Sequence, residues 1–115
     1  EAMAKSQPWL MALLVVAVAP LAEELLFRHV LLRRFALHGR PLLGVFATSL
    51  LFAAMHEAWP GEQGVGAWLA TLLLYTGMGA GFGWVYLRTG RLSAAMLAHA
   101  ACNAAALWPM FASLA

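Results

Sequence analysis

The sequence predicts an all-α protein that forms a polytopic bundle of about four transmembrane helices. Of its 115 residues, 63% are hydrophobic and only 10% are charged, whereas an ordinary soluble domain carries about 25% charged residues. A helix needs roughly 20 mainly apolar residues to cross the hydrocarbon layer of a membrane. Four runs approach that length, at residues 9–32, 41–57, 65–87 and 92–113.

Short polar breaks that contain Gly or Pro separate the four runs and predict where each helix ends. They read HGRP at 38–41, WPGEQG at 59–64 and RTGR at 88–91. Connections this short join antiparallel neighbours, so we expect residues 1–115 to form one membrane-embedded domain. Because the chain begins with Glu1 and not with Met, we also expect further spans before it.

The arginines predict the orientation of the helices, because Lys and Arg are retained on the cytoplasmic side. The first and third connections carry Arg33, Arg34, Arg40, Arg88 and Arg91. The second connection carries only Glu57 and Glu62. We therefore expect the first and third connections to be cytoplasmic, in a multi-pass protein of a bacterial inner membrane. The net charge of +2 is too small to indicate a nucleic-acid partner.

The third run contains the sequence GMGAGFG, in which Gly77 and Gly81, and likewise Gly79 and Gly83, are four residues apart. Small residues at this spacing let two membrane helices approach closely. A phosphate-binding loop would instead follow a strand and open a helix in water, and neither condition is met. The motif therefore indicates helix packing.

Three ionisable residues, Glu23, Glu24 and Arg28, interrupt the first run. Charged side chains at the centre of a membrane cost roughly 2.5–3.5 kcal/mol each, so they are rare and usually functional. Residues four apart share one face of a helix, which predicts an ion pair between Glu24 and Arg28. Glu23 is turned by about 100° from Glu24, so we expect it to stay without a partner on its own helix.

Two further pairs with the same spacing place polar groups in other helices. The sequence FAAMH sets Phe52 and His56 on one face of the second helix, and HAACN sets His99 and Asn103 on one face of the fourth. A single His or Asn in a membrane helix can serve only as a hydrogen bond between helices, worth ~1 kcal/mol. Each pair taken alone therefore allows a purely structural interpretation.

Taken in order, Glu-Glu-x-x-x-Arg, Phe-x-x-x-His and His-x-x-x-Asn resemble the motifs of the CPBP family of intramembrane proteases. That family contains the CAAX prenyl endopeptidases and their bacteriocin-processing relatives. The resemblance covers about residues 9 to 110 and includes TGRLSAAMLAHAACN, which is similar to the family's Thr-Gly-x-Leu lead into the last motif. One position departs from the family pattern: His29 follows the motif arginine, where Gly is usual.

The resemblance implies that Glu23 is the catalytic carboxylate and that Glu24 with Arg28 supports it. Chemistry agrees with this assignment, because peptide hydrolysis needs a base that takes a proton from water. A glutamate that is not held in an ion pair is free to do so. We therefore expect Glu24 and Arg28 to be buried in order to hold Glu23 in place.

The resemblance further implies that His56 positions or activates the water and that His99 and Asn103 stabilise the oxyanion. An imidazole and an amide can both supply the N–H donors that an oxyanion needs. The implied substrate is a membrane-associated protein or peptide, and the implied reaction is hydrolysis of a peptide bond. No cofactor is required by this reaction, although zinc is possible.

Depth along the helices tests whether these side chains can meet. At 1.5 Å per residue, Glu23 and His99 are expected about 15 Å and about 12 Å from the arginine-bearing ends of their runs. His56 is expected about 24 Å from its own such end. By this estimate His56 lies farther from the arginine-bearing side of the membrane than Glu23 and His99 do, unless its helix is tilted or begins deeper than Pro41.

Three alternatives remain open. A zinc-dependent protease could use Glu23, His56 and His99, because two histidines and one carboxylate form a known catalytic zinc set, although no His-Glu-x-x-His motif is present. A non-catalytic immunity or scaffold protein could keep the same bundle and bind a partner with it. A proton-coupled transporter could also carry Glu and His in its spans, but the sequence shows neither internal repeats nor Gly/Pro-broken half-helices.

The remaining candidates favour structural roles. Cys102, three residues after His99, reads as a small packing residue in preference to a thiol nucleophile. We expect His29 to extend the support around Arg28 or to face lipid headgroups, and His38 to lie in a polar connection. Four tryptophans fall near the ends of the runs, as in an interfacial aromatic belt: Trp9, Trp59, Trp84 and Trp108.

Overall fold

The computed structural model describes residues 7–113 and folds them into four helices connected by short loops. They are α1 (Pro8–Leu37), α2 (Pro41–His56), α3 (Gly64–Thr89) and α4 (Leu92–Ala112). The described residues contain no strand. The all-α bundle predicted from the sequence is confirmed, whereas the expectation of spans before Glu1 lies outside the described residues.

Three of the helices, α1, α3 and α4, are long and apolar enough to cross a membrane. The second, α2, is also apolar but has only 16 residues, which corresponds to about 24 Å of helix. The predicted second span is therefore shorter than a full crossing. Its last residue, His56, consequently lies within the bundle and not beyond it.

The first helix is longer than the sequence pattern predicted. It continues past residue 32 to Leu37, so Arg33 and Arg34 lie in its last turns and not in a connection. The reason is local, since no Gly or Pro follows residue 32 until Gly39, which has a φ of +72°. Glycine adopts this left-handed conformation at little cost, and it ends the helix there.

Because α1 extends to Leu37, the estimated depths of Glu23 and His56 agree more closely than the sequence suggested. Glu23 lies fourteen residues before Leu37, which is about 21 Å of helix, close to the 24 Å estimated for His56. The distances between the side chains show this directly, since Nε2 of His99 and Nε2 of His56 lie 3.6 and 3.9 Å from Oε2 of Glu23. Glu23, His56 and His99 therefore reach one level of the bundle.

Two stretches of α1, Leu14–Val18 and Leu25–Leu32, are π-helical. In the first, the backbone N–H of Ala19 donates to the carbonyl of Leu14, five residues earlier. The next bond of this pattern would join the carbonyl of Val15 to the N–H of residue 20, but Pro20 has no N–H. The carbonyl of Val15 therefore has no partner from this pattern.

Aromatic residues and glycines hold the helices together. Phe27, Phe52 and Phe82 form a buried cluster that joins α1, α2 and α3. A Cβ added at Gly79 would lie 3.1 Å from the Cα of Ser49, and one at Gly83 would lie 3.3 Å from Leu32.

The second glycine pair behaves differently, because a Cβ at Gly77 or Gly81 would meet nothing within 4 Å. Only the pair formed by Gly79 and Gly83 therefore confirms the prediction of close helix packing.

Candidate active site

Four helices surround one cavity of about 330 Å³ in the bundle. Four of the six site residues predicted from the sequence line it, namely Glu23, His56, His99 and Asn103. The remaining lining residues are Val15, Ala19, Phe52, Tyr75, Met78, Ala106 and Leu107. Residues far apart in the sequence thus meet around a single cavity.

Glu23 faces this cavity from α1, with 25% of its side chain exposed. Its Oε2 atom is buried and has no hydrogen-bond partner within residues 7–113. The Nε2 atoms of His99 and His56 lie 3.6 and 3.9 Å from it. These separations exceed a direct hydrogen bond, so the three groups face one another at close range without a bond between them.

His56 is the last residue of α2 and reaches the cavity because the helix ends there. Its Nδ1 donates a hydrogen bond to the carbonyl of Phe52 at 2.8 Å, so that Nε2 faces Glu23. The imidazole also contacts two aromatic rings, those of Phe52 and Tyr75, each with its centroid 4.4 Å away. The prediction that Phe52 and His56 share one face is confirmed.

His99 comes from α4 and is almost completely buried, with 2% of its side chain exposed. Its Nδ1 lies 2.8 Å from Oε1 of Glu24 and donates to it. Its ring is stacked on Phe82 at 4.6 Å, with 16° between the ring planes. Because Nδ1 is held by a carboxylate, Nε2 is directed toward Glu23.

Glu24 and Arg28 form the predicted ion pair, with 3.0 Å between Oε2 and Nε and both side chains fully buried. Arg28 also donates from Nη2 to the carbonyl of Gly79 at 2.7 Å. Glu24 therefore carries two contacts at once, one to Arg28 and one to His99. The expectation that this pair holds Glu23 in place stays a prediction, while the contacts of Glu24 lead to Arg28 and His99.

Asn103 lies half-buried at the edge of the cavity. Its Nδ2 donates to the carbonyl of Val15 at 2.8 Å, which is the carbonyl that Pro20 leaves without a partner in the π-helical pattern. The amide thus anchors α4 to α1 and retains its second N–H and its Oδ1. Its predicted contribution to oxyanion stabilisation stays a prediction.

The contribution of α3 was not predicted from the sequence, because this helix places no carboxylate, imidazole or amide side chain in the cavity. Tyr75 stacks on His56, and Phe82, seven residues later on the same helix face, stacks on His99. The carbonyl of Gly79, between them, accepts from Arg28. The only signal in the sequence was the seven-residue spacing of two aromatic residues around the glycines.

The minor candidates lie outside this site. His29 is exposed on α1, and Cys102 is also exposed. His38 bonds to the carbonyl of Arg34 and lines a separate surface pocket with Phe35 and Arg40. All four tryptophans predicted for the interface are exposed: Trp9, Trp59, Trp84 and Trp108.

The alternative zinc set can be compared with the geometry of a metal site. Within residues 7–113, no group of three His, Cys, Asp or Glu side chains is arranged to hold a metal ion. The 3.6 and 3.9 Å separations at Glu23 are longer than the roughly 3.4 Å between two ligand atoms of a tetrahedral zinc ion. Zinc binding by these three residues therefore has no support from this arrangement and stays a prediction.

Comparison with known proteins places this chain in a family. The family model described as type II CAAX prenyl endopeptidase Rce1-like matches residues 5–105. The chain is also similar to the uncharacterized protein YyaK of Bacillus subtilis (strain 168), with 38% identity over 100 residues. This alignment covers 83% of the chain and 32% of YyaK, so the chain spans about a third of the length of this curated relative.

No solved structure matches the chain. The family match covers most of the sequence and includes all six predicted site residues. The chain therefore belongs to the Rce1-like family of type II CAAX prenyl endopeptidases.

Proposed function

We propose that this chain is the catalytic domain of an intramembrane endopeptidase that uses a water activated by Glu23. The observation that carries the proposal is the convergence of three groups on one point of the cavity. Oε2 of Glu23 is buried without a hydrogen-bond partner in the described chain. It faces Nε2 of both His99 and His56 at 3.6 and 3.9 Å.

In the proposed reaction, the water donates one hydrogen bond to Glu23 and one to Nε2 of His56. Glu23 takes a proton as the water oxygen attacks the carbonyl carbon of the substrate, which forms a tetrahedral intermediate. The protonated Glu23 then gives this proton to the leaving amine as the C–N bond breaks. Glu23 is thereby returned to its carboxylate form at the end of the reaction.

The oxyanion of the intermediate needs donors that are already in position. A His99 ring protonated on both nitrogens donates to Glu24 from Nδ1 and to the oxyanion from Nε2. The second N–H of the Asn103 amide is the other donor that we assign to it. Both side chains line the same cavity as Glu23, which supports this division of roles.

The walls of the cavity favour a substrate that is associated with the membrane. Beside the polar site residues, α1 and α4 contribute four apolar residues to these walls, which are Val15, Ala19, Ala106 and Leu107. Such a surface suits an extended apolar peptide or a lipid-modified terminus. We propose that the partner is a membrane-associated protein or peptide and that the protein is a multi-pass protein of a bacterial inner membrane.

The proposed orientation places the end of α1 in the cytoplasm and the connection between α2 and α3 on the other side. It can be tested with single cysteines at His38 and Gly61, introduced after the exposed Cys102 is replaced by Ala. Gly61 is preferred to Gly64, whose φ of +85° would strain a cysteine. Labelling of both sites from the same side of the membrane would contradict the orientation.

The activity can be tested before the substrate is identified. Membranes that contain the wild-type chain or Glu23→Gln are compared by mass spectrometry of their peptides, with Glu62→Gln as a control for loss of a glutamate from a connection. We expect peptides that depend on Glu23 and not on Glu62. If no peptide depends on Glu23, the non-catalytic immunity or scaffold function is favoured.

The zinc alternative retains one supporting observation. Both histidines use Nδ1 for an oxygen acceptor and leave Nε2 free, as metal-binding histidines commonly do. We expect activity to persist after treatment with a chelator. Loss on chelation and recovery on addition of zinc would favour the metalloprotease.

A further inference from the structure

His56 is held in a different way from His99. It is the last residue of its helix, 28% of its side chain is exposed, and its hydrogen bond is to the backbone of its own helix. No carboxylate of the described chain bonds to its Nδ1, whereas Glu24 bonds to Nδ1 of His99. A single bond near the end of a helix fixes the position of a ring poorly, because helix ends fray.

Two aromatic rings supply the missing constraint. Phe52 lies on one side of the imidazole, with 40° between the ring planes, and Tyr75 stacks on it with 26° between the planes. Phe52 and Tyr75 are themselves 6.2 Å apart in an edge arrangement. Phe52 is fully buried, while Tyr75 is half-buried and lines the cavity.

The position of Tyr75 on α3 makes this contact independent of the helix that carries His56. Phe52 moves with α2, so it cannot restrain a movement of the whole end of that helix. Tyr75 is anchored on α3, the helix that also supplies Phe82 to His99. Offset stacking at this separation is a favourable arrangement of aromatic rings.

We propose that Tyr75 is a positioning residue for His56, which acts through its ring and holds Nε2 toward Glu23. This inference rests on the proposed function, because it assigns Tyr75 to the water-activating half of the site. The contact is made by the ring face, so the hydroxyl group is not required. Tyr75→Phe is therefore expected to preserve the effect and Tyr75→Leu to remove it.

The first test is spectroscopic and needs no substrate. The protein is labelled with ¹³C and ¹⁵N in its four histidines, and the signals of His56 are assigned with His56→Gln. In Tyr75→Leu, the ring protons of His56 should lose the upfield shift caused by the stacked ring, and their signals should broaden. In Tyr75→Phe, the shifts should remain close to those of the wild type.

Tyr86→Leu provides a matched control on the same helix. Tyr86 is buried at the other end of the bundle, against Leu32 and Ala95. Its replacement is expected to lower the melting temperature and to leave the signals of His56 unchanged. Unchanged signals in Tyr75→Leu would overturn the proposal, and so would an equal change in Tyr75→Leu and Tyr86→Leu.

The second test is kinetic and uses a synthetic peptide that spans a cleavage site found by the comparison with Glu23→Gln. A displaced catalytic group can lower the rate by up to about 10²-fold, so kcat of Tyr75→Leu should fall roughly 10- to 100-fold. KM should stay within about twofold if substrate binding is unaffected. Tyr75→Phe should retain most of the wild-type kcat.

The outcomes separate this proposal from the proposed function. If Tyr75→Leu broadens the signals of His56 and no peptide is cleaved by the wild type, the positioning contact stands and the protease function fails. If peptides are cleaved and both Tyr75 variants lose activity equally, the hydroxyl acts in catalysis and the ring proposal is wrong. Wild-type kcat in Tyr75→Leu also contradicts it.

Discussion

Glu23 and Glu24 are neighbours in the chain, yet the fold gives them opposite surroundings. Glu24 is fully buried and contacts both Arg28 and His99, whereas Glu23 is 25% exposed to the cavity and its Oε2 has no hydrogen bond in the described part of the chain. We refer to Glu24, Arg28 and His99 as the buried ionic cluster, and to Glu23 and His56 as the cavity pair. His99 connects the two groups, because its Nδ1 bonds to Glu24 and its Nε2 faces Glu23.

The difference teaches how a membrane site can be both rigid and reactive. A buried charge is tolerated when it is paired and hydrogen-bonded, and every member of the buried ionic cluster has at least one such contact. A reacting carboxylate must instead keep hydrogen-bonding positions that are free for water and substrate. The fold separates these requirements by one residue, which turns the side chain by about 100° on the helix.

The largest expected effect is on the rate of cleavage, in Glu23→Gln. This change removes the proposed base, whose contribution is typically about 10²–10⁴-fold in rate, and breaks no bond of the buried ionic cluster. We expect the melting temperature to stay the same or rise, because an ionised side chain in a partly apolar site is replaced by a neutral one. A variant that melts early but cleaves normally would reverse the comparison.

Glu24→Gln should affect stability most. It leaves buried Arg28 without its counter-charge, and breaking such a pair costs roughly 3–5 kcal/mol. Because Glu24 also orients His99, we expect loss of cleavage in the fraction that stays folded. The free energy of unfolding and the rate should be measured together. A double variant that also carries Arg28→Met should recover part of the stability, and further loss would contradict the pairing.

The sequence was sufficient for contacts within one helix. Spacing of four residues predicted the pair of Glu24 and Arg28, and it predicted the shared face of His99 and Asn103. Those predictions depend only on helix geometry, which the sequence pattern determines. The same geometry placed Glu23 apart from the pair.

Contacts between helices could not be predicted in this way. Glu24 and His99 are 75 residues apart in the chain, and Asn103 and Val15 are 88 apart. Each contact depends on the rotation and depth of two helices, and the π-helical stretches of α1 change its rotation locally. The end of α1 was misplaced because a polar residue such as Arg33 does not by itself end a helix.

The anchor between α4 and α1 gives a third prediction. Asn103→Leu should lower the free energy of unfolding by roughly 1 kcal/mol, because it removes the donor to the carbonyl of half-buried Val15. In a Pro20→Ala background, residue 20 has an N–H that can bond to this carbonyl. We therefore expect Asn103→Leu to cost less there, with a coupling of about 1 kcal/mol in the double-mutant cycle. Full additivity would show that Pro20 and Asn103 act independently.

The smallest effect is expected at the glycines of α3. A methyl group at Gly79 would press on the backbone of Ser49 and displace the carbonyl that binds Arg28, so Gly79→Ala should destabilise the buried ionic cluster by about 1 kcal/mol or more. Gly81→Ala is the matched control, since nothing lies within 4 Å. It should be neutral or stabilising by up to about 1 kcal/mol, because Ala favours helix. Equal effects would mean that packing does not distinguish the two positions.

The contact between Glu24 and His99 also bears on biosynthesis. At 5–20 residues per second, the ribosome adds the 75 residues between them in roughly 4–15 s. During that interval α1 is already made, while the imidazole that completes the site is still missing. The site that we propose to be catalytic takes side chains from α1, α2 and α4, so it is complete only after α4 has been made.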